Sequence, residues 1–367
     1  MDEKLYQLAL TFVAGVGNSN ARQLISYCGS AKAVFHTPKS KILKIPGIGP
    51  KLGEELASKS PLKKAELELE KIDKSGIHVC FYTDNHYPAR LKTINDAPIV
   101  LYSRGQGSFE AKKTVSIVGT RNATDYGNEV TEQIVKDLTK YNTQIISGLA
   151  YGIDIAAHRA ALSNGLETLA VMASGVDFIY PSVHRKTADE ICDRGLLVSE
   201  NSLGQKPDAH LFPARNRIIA GMADVILVVE AAEKGGALIT AEIGFSYDKD
   251  VMAVPGNINN KYSKGCNKLL AEQKATIYNS IDDLEKCLNW DLEESTPTQN
   301  KINLNEYPED QQTVIRVLSQ FNDGLPIDEI AWKSQLRVNE VPNILLMLEF
   351  EGVVKALPGK KFKVIDR

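Results

Sequence analysis

The sequence predicts a doubly wound α/β domain with a mainly parallel sheet, set between a small all-helical N-terminal domain and a C-terminal winged-helix domain. Three observations predict it. From residue 77 to about 290, apolar β-rich runs alternate with helical segments, and the runs are continuous in Val, Ile and Leu and bounded by Gly and Pro. That is the pattern of strands buried on both faces under covering helices. Before this region the chain reads as helices only; after it, a polar stretch precedes three helical patterns and a short hairpin.

Residues 1–72 hold two similar pieces, FVAGVGNSNARQLI (12–25) and KIPGIGPKLGEEL (44–56), each running apolar, Gly, apolar, Gly, then helix. Glycines two apart allow a tight hairpin and leave outward N–H groups at the start of the next helix, so the pair resembles a helix-hairpin-helix. Residues 1–64 carry ten Lys or Arg against four Asp or Glu. A nucleic-acid backbone fits that surplus, and so does a packing module whose glycines only make turns. The α/β domain, residues 73–290, offers the strands HVCFY, IVLYS, VSIVG, QIISG, TLAVMAS, LLVSE, VILVVE and VMAVPG. Residues 291–306 read as a linker, polar and without periodicity. Residues 307–367 give the winged-helix pattern. Its third helix, in VNEVPNILLMLEFE, has no basic residue and carries Glu340, Glu349 and Glu351, which favours protein contact or dimerisation over DNA. Lys360, Lys361 and Lys363 leave open a weak DNA contact through the wing.

At 367 residues the chain exceeds one ordinary core. With 43 basic and 46 acidic residues the net charge is −3, so a polyanion must be met by local clusters. Cys28, Cys80, Cys192, Cys266 and Cys287 lie far apart with no CxxC pair, against both a disulfide framework and a zinc site. No run approaches the roughly 18 apolar residues of a membrane span, and the protein is expected to be soluble and cytoplasmic.

Ligands of open α/β sheets sit beyond the carboxyl ends of the strands, and four such places carry unusual residues. GTRNATDYG (119–127) is a turn with one cation, Arg121, entering a helix whose first N–H groups favour a phosphate; alternatively Arg121 pairs with Asp125. It lacks GxGxxG spacing, which argues against NAD or FAD, and no cofactor is expected. KGGALITAE (234–242) sets a glycine pair before a helix, again an anion cradle, with Thr240 able to add a hydroxyl. In FPARNRIIAG (212–221), Arg215 and Arg217 flank Asn216 and suit successive phosphates. Phe212 offers a ring for a base or belongs to the core, and one arginine is expected to buttress the site through an acid such as Asp154 or Glu230. Asp154 and His158, four apart in LAYGIDIAAHRAAL, make no metal site by themselves and read as structural support that orients an arginine. No nucleophile elbow is present.

The series DNHYPARLKTINDAPIVLYSRG, SIVGTRNATDYG, SGLAYGIDIAAHRAAL, GVDFIYPSVHRKTA, LVSENSLGQKPDAHLFPARNRIIAG, VVEAAEKGGALITAEIG and VMAVPGNINNKYSKGCNKLL closely resembles the DNA-processing protein A (DprA/Smf) family over residues 84 to about 275. The resemblance implies an extended Rossmann-like domain that binds single-stranded DNA without sequence preference, forms a homodimer, protects incoming strands in natural transformation and helps load RecA recombinase, without catalysis. Carried over by motif, Gly119, Thr120, Arg121, Ser147, Gly148, Arg215, Asn216, Arg217, Gly235, Gly236 and Ala237 would hold phosphates, with Phe212 beside a base pocket; Lys234 and Thr240 join them as candidates from the glycine loop itself. The chain departs from the family where Gly235, Gly236 and Ala237 stand for Ser-Gly-Ser, where Asp248, Lys249 and Asp250 precede a strand often led by Gly-Arg, and at His184 and Lys186. A second reading is a nucleotide phosphoribohydrolase of lonely-guy type, with Glu242 acting on a ribosyl bond.

Overall fold

The computed structural model describes residues 3–290, 307–319, 321, 324–357 and 361–364; the stretch 291–306 and Lys360 of the expected wing lie outside them. Residues 1–290 form one compact unit and residues 291–367 a second.

The first unit begins with six helices, α1 (Glu3–Thr11), α2 (Asn18–Cys28), α3 (Ala31–His36), α4 (Lys39–Ile42), α5 (Pro50–Ala57) and α6 (Ser60–Ser75). The two glycine turns have one build. Gly15 and Gly47 adopt φ of +84° and +79°, and Gly17 and Gly49 are extended residues that lead into α2 and α5. Their settings differ. The start of α2 faces inward, Asn18 reaching Glu200 and Ile99 and Arg22 reaching Asn95, so the first turn serves packing.

Nine strands follow: β1 (His78–Phe81), β2 (Val100–Gly105), β3 (Thr114–Val118), β4 (Gln144–Ser147), β5 (Thr168–Val171), β6 (Leu196–Ser199), β7 (Val225–Val228), β8 (Asp250–Ala253) and β9 (Thr276–Ile277). They form one sheet in the order β1-β2-β6-β5-β4-β3-β7-β8-β9, antiparallel at β1-β2 and β2-β6 and parallel elsewhere. Eight match the predicted runs; β9 has only two residues and no apolar run to announce it. Helices α7 (Ala89–Lys92), α8 (Asp125–Asp137), α9 (Ile153–Ser163), α10 (Arg185–Arg194), α11 (Leu211–Met222), α12 (Gly236–Ser246), α13 (Lys264–Ala271) and α14 (Ile281–Leu288) complete the layers.

Alternation along the strands sorts those helices. Val115, Ile117, Ile145, Val225 and Leu227 pack with α8, α9 and α14, whereas Ile146, Leu169, Ile226 and Val228 pack with α7, α11, α12 and α13. Each central strand is therefore buried on both faces, which explains its unbroken apolar sequence. The chain leaves β3 toward α8 on one face and β7 toward α12 on the other. Their carboxyl ends, side by side, make the switch point of a doubly wound sheet. The N-terminal helices share a third core with β1, β2, β6 and α10.

The second unit contains α15 (Glu309–Leu318), β10 (Leu325–Pro326), α16 (Ile327–Ser334), α17 (Val341–Phe350), β11 (Val354–Leu357) and β12 (Lys361–Val364), with the sheet order β10-β12-β11. Three helices and an antiparallel hairpin around Val314, Ile330, Ile344 and Leu348 make the predicted winged helix. The outer face of α17 exposes Leu346, Met347 and Phe350.

Candidate nucleic-acid interface

A cleft of about 570 Å³ opens at the switch point. Gly119, Thr120 and Arg121 after β3 form one wall; Lys234, Gly235, Gly236, Ala237 and Thr240 form the other; Phe212, Arg215 and Asn216 of α11 close the back. A narrow pocket of about 30 Å³ continues from it between Tyr151, Tyr180, Pro181 and Phe212.

Arg121 is exposed and stands over the Phe212 ring, its guanidinium carbon 5.3 Å from the ring centre. It forms no ion pair with Asp125 among the described residues. Phe212 is half-buried and meets the Tyr180 ring edge-on at 6.1 Å, so it is a wall of the cleft and not a core residue. Tyr180 and Tyr151 carried no spacing signal in the sequence, and the fold alone brings them here.

Arg215 lies buried at the back of the cleft, held by carbonyls and an amide where a buried acid was expected. It is 5% exposed and donates from Nη1 to the carbonyls of Gly148 (2.6 Å) and Val171 (2.5 Å) and from Nε to Asn216 Oδ1 (3.1 Å). Burial pulls its guanidinium down to about 10; Asp154 pulls up and Arg121 pushes down. It stays charged at neutral pH. Two cations thus repel each other across the cleft, an arrangement that a bound anion relieves. Burial pushes the Asp154 carboxyl up, against the pull of Arg215 and of the Ala150 and Gly148 N–H groups. His158 is fully buried, its Nδ1 2.7 Å from Thr168 Oγ1, and burial pulls it to about 3. The imidazole is neutral and no acid-base partner. Asp154 lies buried beside Arg215, whose charge it favours, and His158 lies one layer deeper, against β5.

Three expectations are corrected. Arg217 does not line the cleft: residues two apart on a helix point about 200° apart, so Arg217 leaves the back of α11 for Glu200 and the Asp96 carbonyl (2.5 Å). Ser147 ends a fully buried strand and its hydroxyl donates to the Ile117 carbonyl at 2.6 Å inside the sheet. Gly148, by contrast, lines the narrow pocket, and its carbonyl accepts from Arg215 Nη1; a Cβ there would lie 2.3 Å from that atom. The start of α8 is not an anion site, because Thr124 caps it and Glu230, 1% exposed, accepts from the Thr124 N–H (2.9 Å) and hydroxyl (2.7 Å). The protein supplies its own anion there, hidden in VVE at the end of β7.

The start of α12 is the opposite case. No side chain caps it, its first N–H groups have no partner within the helix, and a Cβ on Gly235 would meet nothing within 4 Å. Asn216 Nδ2 ties the loop from behind through the Gly236 carbonyl (3.3 Å), which also accepts from Thr240 (3.2 Å). Glu242, the acid of the phosphoribohydrolase reading, lies outside the cleft and pairs with Lys274 at 3.6 Å. Among the described residues no group of three potential metal ligands is present, all five cysteines are free, and no helix is long and apolar enough to cross a membrane.

Fold and site together define a class: a doubly wound α/β protein with a cationic, aromatic-walled cleft at its switch point, preceded by helices and followed by a winged helix. Comparison with known proteins narrows the class. Residues 78–289 match the family described as DNA recombination-mediator protein A, and residues 297–360 match the DprA winged helix domain. Protein Smf of Synechocystis is 31% identical over 392 residues, covering 98% of each chain. The X-ray structure of DNA processing protein A from Streptococcus pneumoniae aligns with a TM-score of 0.67 and 31% identity over 78% of this chain and 98% of that one. A Helicobacter pylori structure of DNA processing protein A, described for its single-stranded DNA binding mode, aligns at 0.52 and 29% over 58% and 95%. The chain belongs to the DprA/Smf family of DNA recombination mediators.

Proposed function

We propose that the cleft is a track for single-stranded DNA, bound without sequence preference and without bond cleavage. The observation that carries this reading is the meeting of Arg121 and the open start of α12 in one cleft with the Phe212 and Tyr180 rings. Cations and main-chain N–H groups hold phosphates. Aromatic faces stack any base, at about 1–3 kcal/mol per base. The described binding mode of the H. pylori relative supports the same ligand here. On family membership we extend the reading to protection of incoming strands, loading of RecA recombinase and action as a cytoplasmic homodimer.

A gel-shift series with single- and double-stranded oligonucleotides at two salt concentrations tests it. Tighter, salt-weakened binding of the single strand is the expected result. Release of free base from a nucleoside monophosphate, with no strand binding, would establish the hydrolase instead.

A further inference from the structure

We propose that the N-terminal helical domain is a positioning device for the cleft, acting through the connection between β6 and α11; the proposal rests on the cleft being the DNA site. That connection, residues 200–210, delivers Phe212, Arg215 and Asn216 to the cleft. The N-terminal helices grip it twice. Asn18, the first residue of α2, donates from Nδ2 to Glu200 Oε2 at 3.1 Å. Glu68 of α6, only 3% exposed, accepts from the Leu203 N–H at 2.6 Å. A carboxylate is costly to bury, and this one divides its oxygens: Oε2 pairs with Lys71 of the same helix at 3.4 Å, and Oε1 reaches the loop amide of the α/β domain.

The first grip continues into both helices of the site. Glu200 Oε2 also accepts from Arg217, on the back of α11. Arg217 donates to the Asp96 carbonyl, and Asp96 Oδ1 accepts at 2.6 Å from Tyr247, which follows the last turn of α12. The loop bearing Asp96 is held in turn by α2: Arg22 and Ser19 donate to the Asn95 carbonyl, and Asn18 Oδ1 accepts from the Ile99 N–H at 3.2 Å. The helix that presents Phe212 and the helix that presents the Gly235–Gly236 loop are therefore fastened at their far sides to one hub, and α2 holds that hub. None of Asn18, Glu68, Glu200 and Arg217 lines the cleft. Arg121 sits over the Phe212 ring, so a shift of α11 moves the stacking wall and the cation's seat together.

The test uses the full chain and a fluorescent oligothymidine, with affinity measured across a salt series for Asn18→Ala, Glu68→Ala and Glu68→Gln. Asn18→Ala and Glu68→Ala are expected to bind about fivefold more weakly with the wild-type salt slope. Glu68→Gln is expected to keep wild-type affinity, because its amide oxygen still accepts from Leu203. Wild-type affinity in Asn18→Ala overturns the proposal, as does a reduced slope, which would make these residues phosphate contacts. Asn18→Ala keeps the test decisive if Glu68→Ala does not fold. Arg121→Ala, run alongside, separates the failures: loss there alone overturns the positioning role, and no loss there overturns the cleft as the DNA site.

Discussion

Helices α8 and α12 both leave the sheet at its switch point, and their first turns differ in where the negative charge comes from. At α8 the chain provides it: Thr124 caps the helix and the buried Glu230 carboxylate holds the Thr124 N–H and hydroxyl. At α12 two glycines stand where a capping side chain would be, and the first turn faces the cleft. Like dipoles are thus met by the protein's own acid at one helix and left open to the cleft at the other. A helix start beyond a strand is an anion site only when the protein has not already filled it.

The largest effect comes from breaking the closed end. Glu230→Ala is expected to cost about 2–3 kcal/mol of stability, since it strips the half-buried Thr124 N–H and hydroxyl of their acceptor and empties a buried site; urea denaturation measures it, and a cost near zero would contradict the capping role. Next is the frame beneath the cleft, through pH. His158 takes its proton near 6.5 when unfolded and near 3 when folded. The unfolded chain therefore binds the proton first: His158 costs nothing above pH 6.5 and lowers stability as pH falls from 6.5 toward 3. By pH 5 the loss is about 2 kcal/mol, and His158→Gln should flatten that part of the stability profile; an unchanged profile rejects the assignment. Third, Gly235→Asp gives the open end a carboxylate of its own. The backbone there is extended and space is free, so stability should hold or rise by a few tenths of a kcal/mol while oligonucleotide affinity falls about tenfold. Anisotropy and thermal melts check both halves, and unchanged affinity would remove α12 from the site. The smallest effect is expected from removing residues 291–367: because the outer face of α17 presents Leu346, Met347 and Phe350 and no cation, affinity should change less than about twofold. A tenfold loss by the same assay would assign the winged helix to DNA.

The sequence disclosed what depends on local pattern. Unbroken apolar runs marked eight strands, and the GTR and KGG turns fell where the sheet order brings them together. Directions of side chains were not legible in the same way. Arg215 and Arg217 look paired when written in a line, yet the helix sends one under the cleft and the other to Glu200. Ser147, by resemblance a phosphate contact at the end of the QIISG run, turns its hydroxyl into the sheet. Glu230 reads as the last letter of a strand, and only the crossing from β7 to α8 shows it as a cap. Tyr151 and Tyr180 belong to loops without periodicity, so their place beside Phe212 needed the fold.

The proposed DNA track turns on Arg121 meeting a phosphate of a bound single strand at the switch point. The most direct measurement is the salt dependence of oligothymidine binding to the wild type and to Arg121→Ala. Loss of one phosphate contact predicts weaker binding and a slope of log K against log salt shallower by about 0.7. Equal affinity and an equal slope in the two proteins would contradict the claim.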